Sequence, residues 1–291
     1  MSGVSTEQVI LPSGLRVTYR LAGEGPPVLL LHGWAASWHV WHDAMLALAA
    51  GGFRAYAPDH IGCGDSAKPL SAYTPSAYAA YVDGFVAALG IDQFTLVGHS
   101  LGGHIALSYA LAHPGKVSRL MLVAPAYSAL RQTRLTRAEG LLLFAACPVV
   151  GALALALAPA RLIRWFFSKP WGGFYRPDRI APEFLDSMAL DYTVKASPWV
   201  TNSAAYLVLF SLPFLSRLRR DADLRPRLKD VAMRTLVVWG EHDALLSPRS
   251  FRELAAAIPN ATAWPLADAG HTPPVEAADK FNSILMAFVA T

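Results

Sequence analysis

Short apolar runs alternate with longer segments of mixed polarity along most of the chain. In the first half such runs predict buried strands at 28–31, 53–57, 94–98 and 119–124. The segments between them predict helices at about 38–50, 75–89 and 101–113. The alternation resumes later, with strands at 235–240 and 261–266, a helix near 248–258 and a final helix at 275–289. Apolar strands that alternate with helices indicate a mostly parallel sheet covered on both faces.

Two further segments, one near the N-terminus and one in the middle of the chain, complete the predicted architecture. Residues 8–11 and 15–21 flank Pro12-Ser13-Gly14, whose turn-forming residues predict a β-hairpin, so the sheet has eight strands. Residues 127–228 depart from the alternation and have a helical pattern throughout. We therefore expect an α/β fold with a mostly parallel eight-stranded sheet, helices on both faces and an inserted helical cap. Residues 1–126 and 229–291 form the core, and residues 127–228 form the cap, or lid.

Composition narrows the class of protein. Hydrophobic residues make up 54% of the chain and charged residues 16%, which excludes a disordered protein and indicates an unusually apolar surface somewhere. The net charge of +4 is too small and too scattered for a nucleic-acid-binding surface. The two cysteines, Cys63 and Cys147, lie in separate regions and suit free thiols in a reducing compartment. Because the first residues lack the basic start and apolar core of a signal peptide, we expect a cytoplasmic protein.

One pentapeptide predicts a nucleophile. Gly98-His99-Ser100-Leu101-Gly102 follows a strand-like run directly and precedes a helix-like run directly. A G-x-S-x-G sequence at that junction is typical of a strained strand-to-helix turn that exposes a serine hydroxyl. Glycines are needed there because the sharp turn brings backbone segments close together. We therefore expect Ser100 to be a catalytic nucleophile.

A serine nucleophile needs a base, and the base needs an orienting acid. His271 follows the last predicted strand, and two carboxylates, Glu241 and Asp243, follow the strand before it. This order, with serine first, then acid, then histidine, is the one found on sheets of this kind. From the spacing alone, either carboxylate could reach the imidazole.

The predicted oxyanion hole combines two distant backbone groups. Leu101 follows the nucleophile, and Trp34 comes after the strand at 28–31 and the dipeptide His32-Gly33. We expect the backbone N–H groups of Trp34 and Leu101 to bind the developing oxyanion. His32 is expected to brace the loop that holds Trp34.

These motifs together resemble the α/β-hydrolase superfamily, in its capped, serine-nucleophile, esterase- or lipase-like branch. The resemblance covers nearly the whole chain except about 127–228, and it rests on His32-Gly33-Trp34, Pro58 to Ser66, the Ser100 turn, Gly240 to Asp243, and Gly270-His271. It implies that Asp243, rather than Glu241, is the catalytic acid, because the family ends this strand with glycine, two residues and aspartate. It implies no cofactor, and the Asp59 and Asp65 carboxylates are expected to brace their loop rather than hold a metal.

The resemblance also implies a reaction class. We expect hydrolysis of a hydrophobic carboxylic ester through an acyl-enzyme, with no nucleic-acid partner. Relatives that cleave carbon–halogen bonds or epoxides use an aspartate where this chain has Ser100. A carbon–carbon bond hydrolase acting on vinylogous diketones is the nearest alternative, and thioesterase, lactonase and amidase activities stay open. From another class, a non-catalytic ligand-binding or accessory protein of the same fold is the alternative.

The predicted cap contains a conspicuously apolar stretch. Gly140 to Ala160 holds no charged residue over 21 positions, which is long enough to span a bilayer. Pro148 and Gly151 interrupt it, and a single crossing would put Ser100 and His271 on opposite sides of the membrane. Cap helices buried against the core are the simplest interpretation. A lipophilic lid that makes peripheral contact with a membrane or lipid is the second, because basic and aromatic residues follow at 161–171. A dimer interface is the third.

Overall fold

The computed structural model describes residues 3–34, 36–69, 74–127, 160–168, 174–186 and 223–291. Eight strands form one sheet. They are β1 (Ser5–Ile10), β2 (Arg16–Ala22), β3 (Pro27–Leu31), β4 (Arg54–Pro58), β5 (Phe94–His99), β6 (Val117–Val123), β7 (Arg234–Gly240) and β8 (Ala261–Leu266).

The strand order across the sheet is β1-β2-β4-β3-β5-β6-β7-β8. The hairpin strands pair antiparallel with each other, and β2 is also antiparallel to β4. All other neighbours, from β4 to β8, run parallel. The predicted fold class is confirmed, including the turn at Pro12-Ser13-Gly14, where Gly14 has a φ of 80°.

Helices cover both faces of the sheet, and each face has its own apolar core. Among the described residues, the α-helices are α1 (His42–Ala50), α2 (Pro75–Ala88), α3 (Leu101–Ala112), α4 (Ala160–Phe167), α5 (Pro248–Ala257), α6 (Pro273–Glu276) and α7 (Ala278–Val289). Side chains of α1 and α7 pack on one face, and those of α2, α3 and α5 pack on the other. The central strand β5 is buried along its whole length, which is why its sequence is apolar rather than alternating.

Parallel pairing brings the ends of the central strands to one edge of the sheet. Leu31 of β3 pairs with Gly98 of β5, and His99 of β5 pairs with Val123 of β6. At the other side, Gly240 of β7 pairs with Leu266 of β8. The loops that follow β3, β5, β7 and β8 therefore start from the same edge, where open parallel sheets bind their ligands.

The predicted final helix is wrong in one respect, because the segment forms two helices. α6 ends at Glu276, and Ala277 leaves the helical region with φ −139° and ψ 47° before α7 begins. The first turn stays with the loop after β8, where the Glu276 side chain accepts hydrogen bonds from that loop. The longer helix α7 packs its apolar face on the sheet.

Only part of the predicted cap lies within the described residues. The apolar stretch predicted at Gly140 to Ala160 lies outside them, apart from the backbone of Ala160, which begins α4. Residues 174–186 form a small apolar cluster of Phe174, Ile180 and Leu185, packed against Val275 at the start of α6. In the parts of the chain that the structure describes, every helix is too short or too polar to cross a membrane.

Candidate active site

Ser100 lies between β5 and α3 in a backbone conformation that L-residues rarely adopt. Its φ is 53° and its ψ is −114°. Hydrogen bonds hold this turn in place: the Ser100 N–H donates to the Val123 carbonyl at 2.9 Å, and the Ser100 carbonyl accepts from the Ala126 N–H at 3.0 Å. Strain of this kind persists only where the surroundings impose it, and it is common at functional sites.

The glycines around Ser100 allow backbone segments to touch. A Cβ atom at Gly102 would lie 2.2 Å from the Leu31 carbonyl oxygen, and one at Gly98 would lie 2.2 Å from the Gly102 carbonyl oxygen. At Gly103 it would lie 2.7 Å from Cβ of Pro125. The helix α3 can therefore pack directly against β3 and β5, and its N-terminus begins at the serine.

His271, in the loop after β8, contacts the serine. Its Nε2 atom lies 3.0 Å from Ser100 Oγ, and its Nδ1 atom lies 2.8 Å from Asp243 Oδ2. Because an ionised carboxylate can only accept hydrogen bonds, Nδ1 carries the proton. In the neutral ring, Nε2 is then free to accept the hydrogen bond of the Ser100 hydroxyl. The structure thus places three residues from distant parts of the chain, Ser100, His271 and Asp243, in one hydrogen-bonded row, which is called the row below.

The carboxylate in this row is Asp243 rather than Glu241. Asp243 is buried, and its second oxygen, Oδ1, accepts the backbone N–H groups of Leu245 and Leu246, each at 2.8 Å. Glu241 is exposed and pairs with Arg252 at 3.2 Å. The loop after β7 turns one carboxylate toward the imidazole and the other toward solvent.

The surroundings of His271 favour its protonated form. Burial alone would lower the pKa of this histidine, but the charge and hydrogen bond of Asp243 and the charge of Glu276 outweigh burial and raise it. A base with a raised pKa accepts a proton more readily. The row therefore has the electrostatics needed to stabilise an imidazolium while a proton leaves Ser100.

Two further side chains hold the backbone of the His271 loop. The Nε2–H of His99 donates to the carbonyl of His271 at 2.8 Å. Glu276 accepts the N–H groups of Gly270 and Thr272, at 3.0 and 2.8 Å. The sequence reasoning assigned no role to either residue. A glutamate five positions after the histidine, at the start of a helical segment, is a signal that could have drawn attention to Glu276.

Burial keeps His99 neutral. Burial and, to a lesser degree, the charge of nearby His271 lower the pKa of His99 to about 3, although its hydrogen bond to the His271 carbonyl opposes them. A neutral ring can donate from Nε2 without adding positive charge beside His271.

The predicted oxyanion donors belong to two segments that adjoin Ser100, which supports their assignment. Leu101 is the first residue of α3, so its N–H has no partner within the helix. A Cβ atom at Gly33 would lie 3.1 Å from Cβ of Ser100, which shows how closely the loop carrying Trp34 passes the serine. The roles of Trp34 and Leu101 stay predictions.

His32 braces that loop. Its Nε2 atom accepts the His60 N–H at 3.0 Å, and its Nδ1–H donates to the Gly33 carbonyl at 2.8 Å. Asp59 adds a second connection by accepting the N–H groups of Trp38 and Asp65. Among the described residues, no group of three or more His, Cys, Asp or Glu side chains is arranged to hold a metal ion.

The loops that carry Asp243 and His271 also pack backbone to backbone. A Cβ atom at Gly240 would lie 2.1 Å from the Gly270 carbonyl oxygen. The two glycines that precede the predicted acid and base thus bring β7 and the loop after β8 close enough for the 2.8 Å hydrogen bond between Asp243 and His271.

Comparison with known proteins gives a family and several relatives. The family model described as the alpha/beta hydrolase fold matches residues 26–278. The chain is 37% identical over 123 residues to a soluble epoxide hydrolase from Corynebacterium sp. (strain C12), a match that spans 42% of this chain and 43% of that protein. The aligned part of the chain thus spans less than half of that relative's length.

Two other proteins match along nearly the whole chain. The 2-hydroxy-6-oxo-6-phenylhexa-2,4-dienoate hydrolase of Burkholderia cepacia is 27% identical over 284 residues, which cover 96% of this chain and 92% of that protein. The solved structure of a thermophilic esterase from Thermogutta terrifontis has a TM-score of 0.77 at 22% identity and covers 98% of both chains. At that identity the structural likeness shows the fold alone.

Proposed function

The chain belongs to the alpha/beta hydrolase family, and within it we propose that the protein hydrolyses carboxylic esters with Ser100 as the nucleophile. The observation that carries the proposal is the row in which Ser100 Oγ lies 3.0 Å from His271 Nε2 and Asp243 Oδ2 lies 2.8 Å from His271 Nδ1. These distances are within hydrogen-bond reach, as general-base activation of a serine requires.

The mechanism follows from the row. His271 Nε2 takes the hydroxyl proton as Ser100 Oγ attacks the ester carbonyl carbon. The resulting oxyanion is bound by the N–H groups of Trp34 and Leu101. The imidazolium, stabilised by Asp243, then protonates the leaving alkoxide, and the alcohol departs. A water molecule, deprotonated by His271, attacks the acyl-enzyme, and return of the proton to Ser100 releases the acid.

The serine argues against epoxide hydrolysis, despite the partial match to an epoxide hydrolase. Attack by a carboxylate on an epoxide gives an ester, which water can cleave. Attack by a serine hydroxyl would give an ether, which has no carbonyl for water to attack, so the enzyme would be consumed in a single event. Ser100 therefore supports acyl transfer, in which the covalent intermediate is an ester that the same His271 can hydrolyse.

The second candidate is cleavage of a carbon–carbon bond beside a ketone. The full-length similarity to a dienoate hydrolase favours it, because 92% of that relative is covered. The same row could serve either reaction, and thioesters and lactones are chemically close to esters. We favour esters with an apolar acyl or alcohol part because of the uncharged stretch at Gly140 to Ala160 in the predicted cap.

A fluorophosphonate probe tests the central claim. We expect covalent labelling at Ser100 and its loss in Ser100→Ala, with a fall in ester hydrolysis of about 10⁶-fold in kcat. A folded protein that is not labelled at Ser100 would contradict an enzymatic role and would favour the ligand-binding alternative.

Substrate class needs a second measurement on the same protein. We expect a series of p-nitrophenyl esters to show a preference for medium or long acyl chains over acetate. The dienoate substrate of the Burkholderia cepacia relative is the matched competitor. A kcat/KM higher for the dienoate than for every ester would replace the ester proposal with carbon–carbon bond hydrolysis.

We also propose peripheral lipid contact through the predicted cap, and a cytoplasmic location. Supporting the contact, α4 exposes Leu162 and Trp165, each about half accessible, beside Arg161 and Arg164. Flotation with anionic liposomes should weaken in Trp165→Ser but not in Ile10→Ser, which changes an exposed apolar residue on β1. Equal flotation of both variants and the parent, or none at all, would contradict the lipid contact.

A further inference from the structure

Three backbone N–H groups converge on the carboxylate of Glu276. Oε1 accepts from Thr272 at 2.8 Å, and Oε2 accepts from Gly270 at 3.0 Å and from Tyr175 at 2.7 Å. Gly270 and Thr272 are the residues on either side of His271. The carboxylate therefore fixes the backbone of the base on both sides, while the carbonyl of His271 itself is held by His99.

The third donor comes from the segment inserted between β6 and β7. Tyr175 lies 101 residues before Glu276 in the chain and belongs to the predicted cap. Its ring also stacks on the ring of His242, with centroids 3.7 Å apart and planes 5° from parallel. His242 immediately precedes Asp243, so Tyr175 contacts both the loop that carries the acid and the carboxylate that holds the base.

The close packing leaves no room for a side chain at position 270. A Cβ atom there would lie 2.8 Å from the Tyr175 nitrogen and 2.9 Å from Glu276 Oε2. Apolar contacts extend the same junction, since Val275 packs against the cluster of Phe174, Ile180 and Leu185. The cap segment at 174–186 is thus attached to the core at the two loops that carry Asp243 and His271.

We propose that Glu276 is a positioning residue for His271 and that it couples the placement of the Tyr175 segment of the cap to the geometry of the catalytic row. The proposal rests on the proposed function, since it gives His271 the role of the base. Helix capping alone would need only the hydrogen bond from Thr272 to Glu276. The bonds from Gly270 and Tyr175 exceed that need and join the base to the cap.

The ionised form of Glu276 is the one that this site binds. Three N–H donors face two oxygens, and a carboxylate accepts all three, whereas a protonated carboxyl would bring a hydroxyl hydrogen into the same space. The pKa of Glu276 is raised overall because burial outweighs the hydrogen bonds from Thr272, Tyr175 and Gly270 and the charge of His271, which limit that rise. The charge of Glu276 in turn helps to raise the pKa of His271.

The test compares Glu276→Gln with Asp279→Asn. Asp279 is an exposed carboxylate three residues later, so the control removes the same charge outside the junction. We expect Glu276→Gln to lower kcat for an ester, and the rate of fluorophosphonate labelling at Ser100, by about 10- to 100-fold with little change in KM, because a small displacement of the base is costly. The control should match the parent.

The pH dependence of labelling separates positioning from a purely structural role. Within the part of the chain that the structure describes, the ionisable groups that act on His271 include Asp243, His99 and Glu276. Loss of the Glu276 charge should move the acid limb of the labelling rate to lower pH, because the base then deprotonates at lower pH. Glu276→Asp keeps the charge but shortens the side chain, so labelling should slow while the acid limb stays in place. Near-ultraviolet circular dichroism checks the fold of each variant.

A second pair of variants tests the proposed coupling between the cap and His271. Tyr175→Ala removes the ring stacked on His242, and Trp264→Ala removes a similarly exposed aromatic ring from β8. The first should lower the labelling rate and the second should not. Unchanged labelling in both would overturn the coupling to the cap, and parental kcat and acid limb in Glu276→Gln would overturn the positioning role. A parent protein that is never labelled would instead contradict the proposed function.

Discussion

The two halves of the row formed by Ser100, His271 and Asp243 are held in place by different kinds of force. Ser100 is fixed by backbone geometry: a strained φ of 53°, and glycines whose missing side chains let α3 touch β3 and β5. His271 is fixed by polar contacts with two carboxylates, those of Asp243 and Glu276. Steric constraint thus holds Ser100, the proposed nucleophile, whereas the position of His271, the proposed base, depends on carboxylate charges that can be removed one at a time.

This difference also appears in the buried histidines. On the nucleophile side, burial lowers the pKa of His99 to about 3 and of His104 to about 4. On the base side, Asp243 and Glu276 raise the pKa of His271 above its ordinary value even though burial opposes them. Where burial outweighs the other contributions, as at His99 and His104, the imidazole stays neutral. Where neighbouring carboxylates outweigh burial, as at His271, the imidazole is prepared to accept a proton.

Removing the Asp243 charge from the base side should produce the largest effect of the changes compared here. We expect Asp243→Asn to lower kcat for ester hydrolysis by about 10⁴-fold, because an amide can no longer stabilise the imidazolium and can favour the wrong tautomer of His271. Steady-state kinetics with a p-nitrophenyl ester measures this effect.

Glu241→Gln is the matched control for that experiment. Glu241 lies two residues away but pairs with Arg252 at the surface, so its substitution should leave kcat close to that of the parent. If Glu241→Gln lost activity and Asp243→Asn kept it, Asp243 would not be the carboxylate that acts with His271.

On the nucleophile side, the test is steric rather than electrostatic. We expect Gly102→Ala to lower the free energy of unfolding by about 3 kcal/mol or more, because the new methyl group would lie 2.2 Å from the backbone oxygen of Leu31, which cannot move aside cheaply. Urea denaturation gives the value. Gly115→Ala is the control, since a Cβ atom at Gly115 meets nothing within 4 Å. Equal stability of the two variants would show that the turn has more room than its contacts suggest.

The turn around Ser100, which is held by steric constraint, could be predicted from the sequence because its signals are local. Gly98, Ser100 and Gly102 are close together in the chain, and they lie between a strand-like and a helix-like run. The strand-to-helix turn can be inferred from those few residues. The same holds for the sheet, since each apolar run indicates its own strand and the alternation with helices indicates parallel pairing.

The polar contacts around His271 could be predicted only in part, because they join residues that are distant in sequence. The hydrogen bond between His99 and the His271 carbonyl spans 172 residues, and that between Tyr175 and Glu276 spans 101. No periodic pattern encodes such pairs. The break at Ala277 was missed for the same reason: the apolar pattern continues from α6 into α7, while the Glu276 contacts that hold α6 to its loop are tertiary.

The smallest expected effect is a dependence of stability on pH that originates on the nucleophile side. The pKa of His104 is lowered to about 4 by burial, against its hydrogen bond to Ala126, so in the folded state it stays neutral at pH values where the unfolded chain binds a proton. Its contribution to stability is therefore present above about pH 6.5 and is lost as the pH falls toward about 4. His271, with a raised pKa, acts in the opposite direction: its contribution is present below about pH 6.5 and is lost as the pH rises through its folded-state pKa.

The variant His104→Asn isolates the contribution of His104 to the pH dependence of stability. Urea denaturation between pH 4.5 and 6, a window of about one and a half units below the ordinary histidine pKa, should show the parent losing stability toward acid. In the variant the slope should be smaller by about 1.4 kcal/mol per pH unit, the value of one proton. Thr95→Val, which removes a buried polar group that does not titrate, should leave the slope unchanged. An unaltered slope in His104→Asn would mean that the buried ring binds a proton without unfolding, and the contrast between a neutral nucleophile side and a charged base side would then rest on His99 alone.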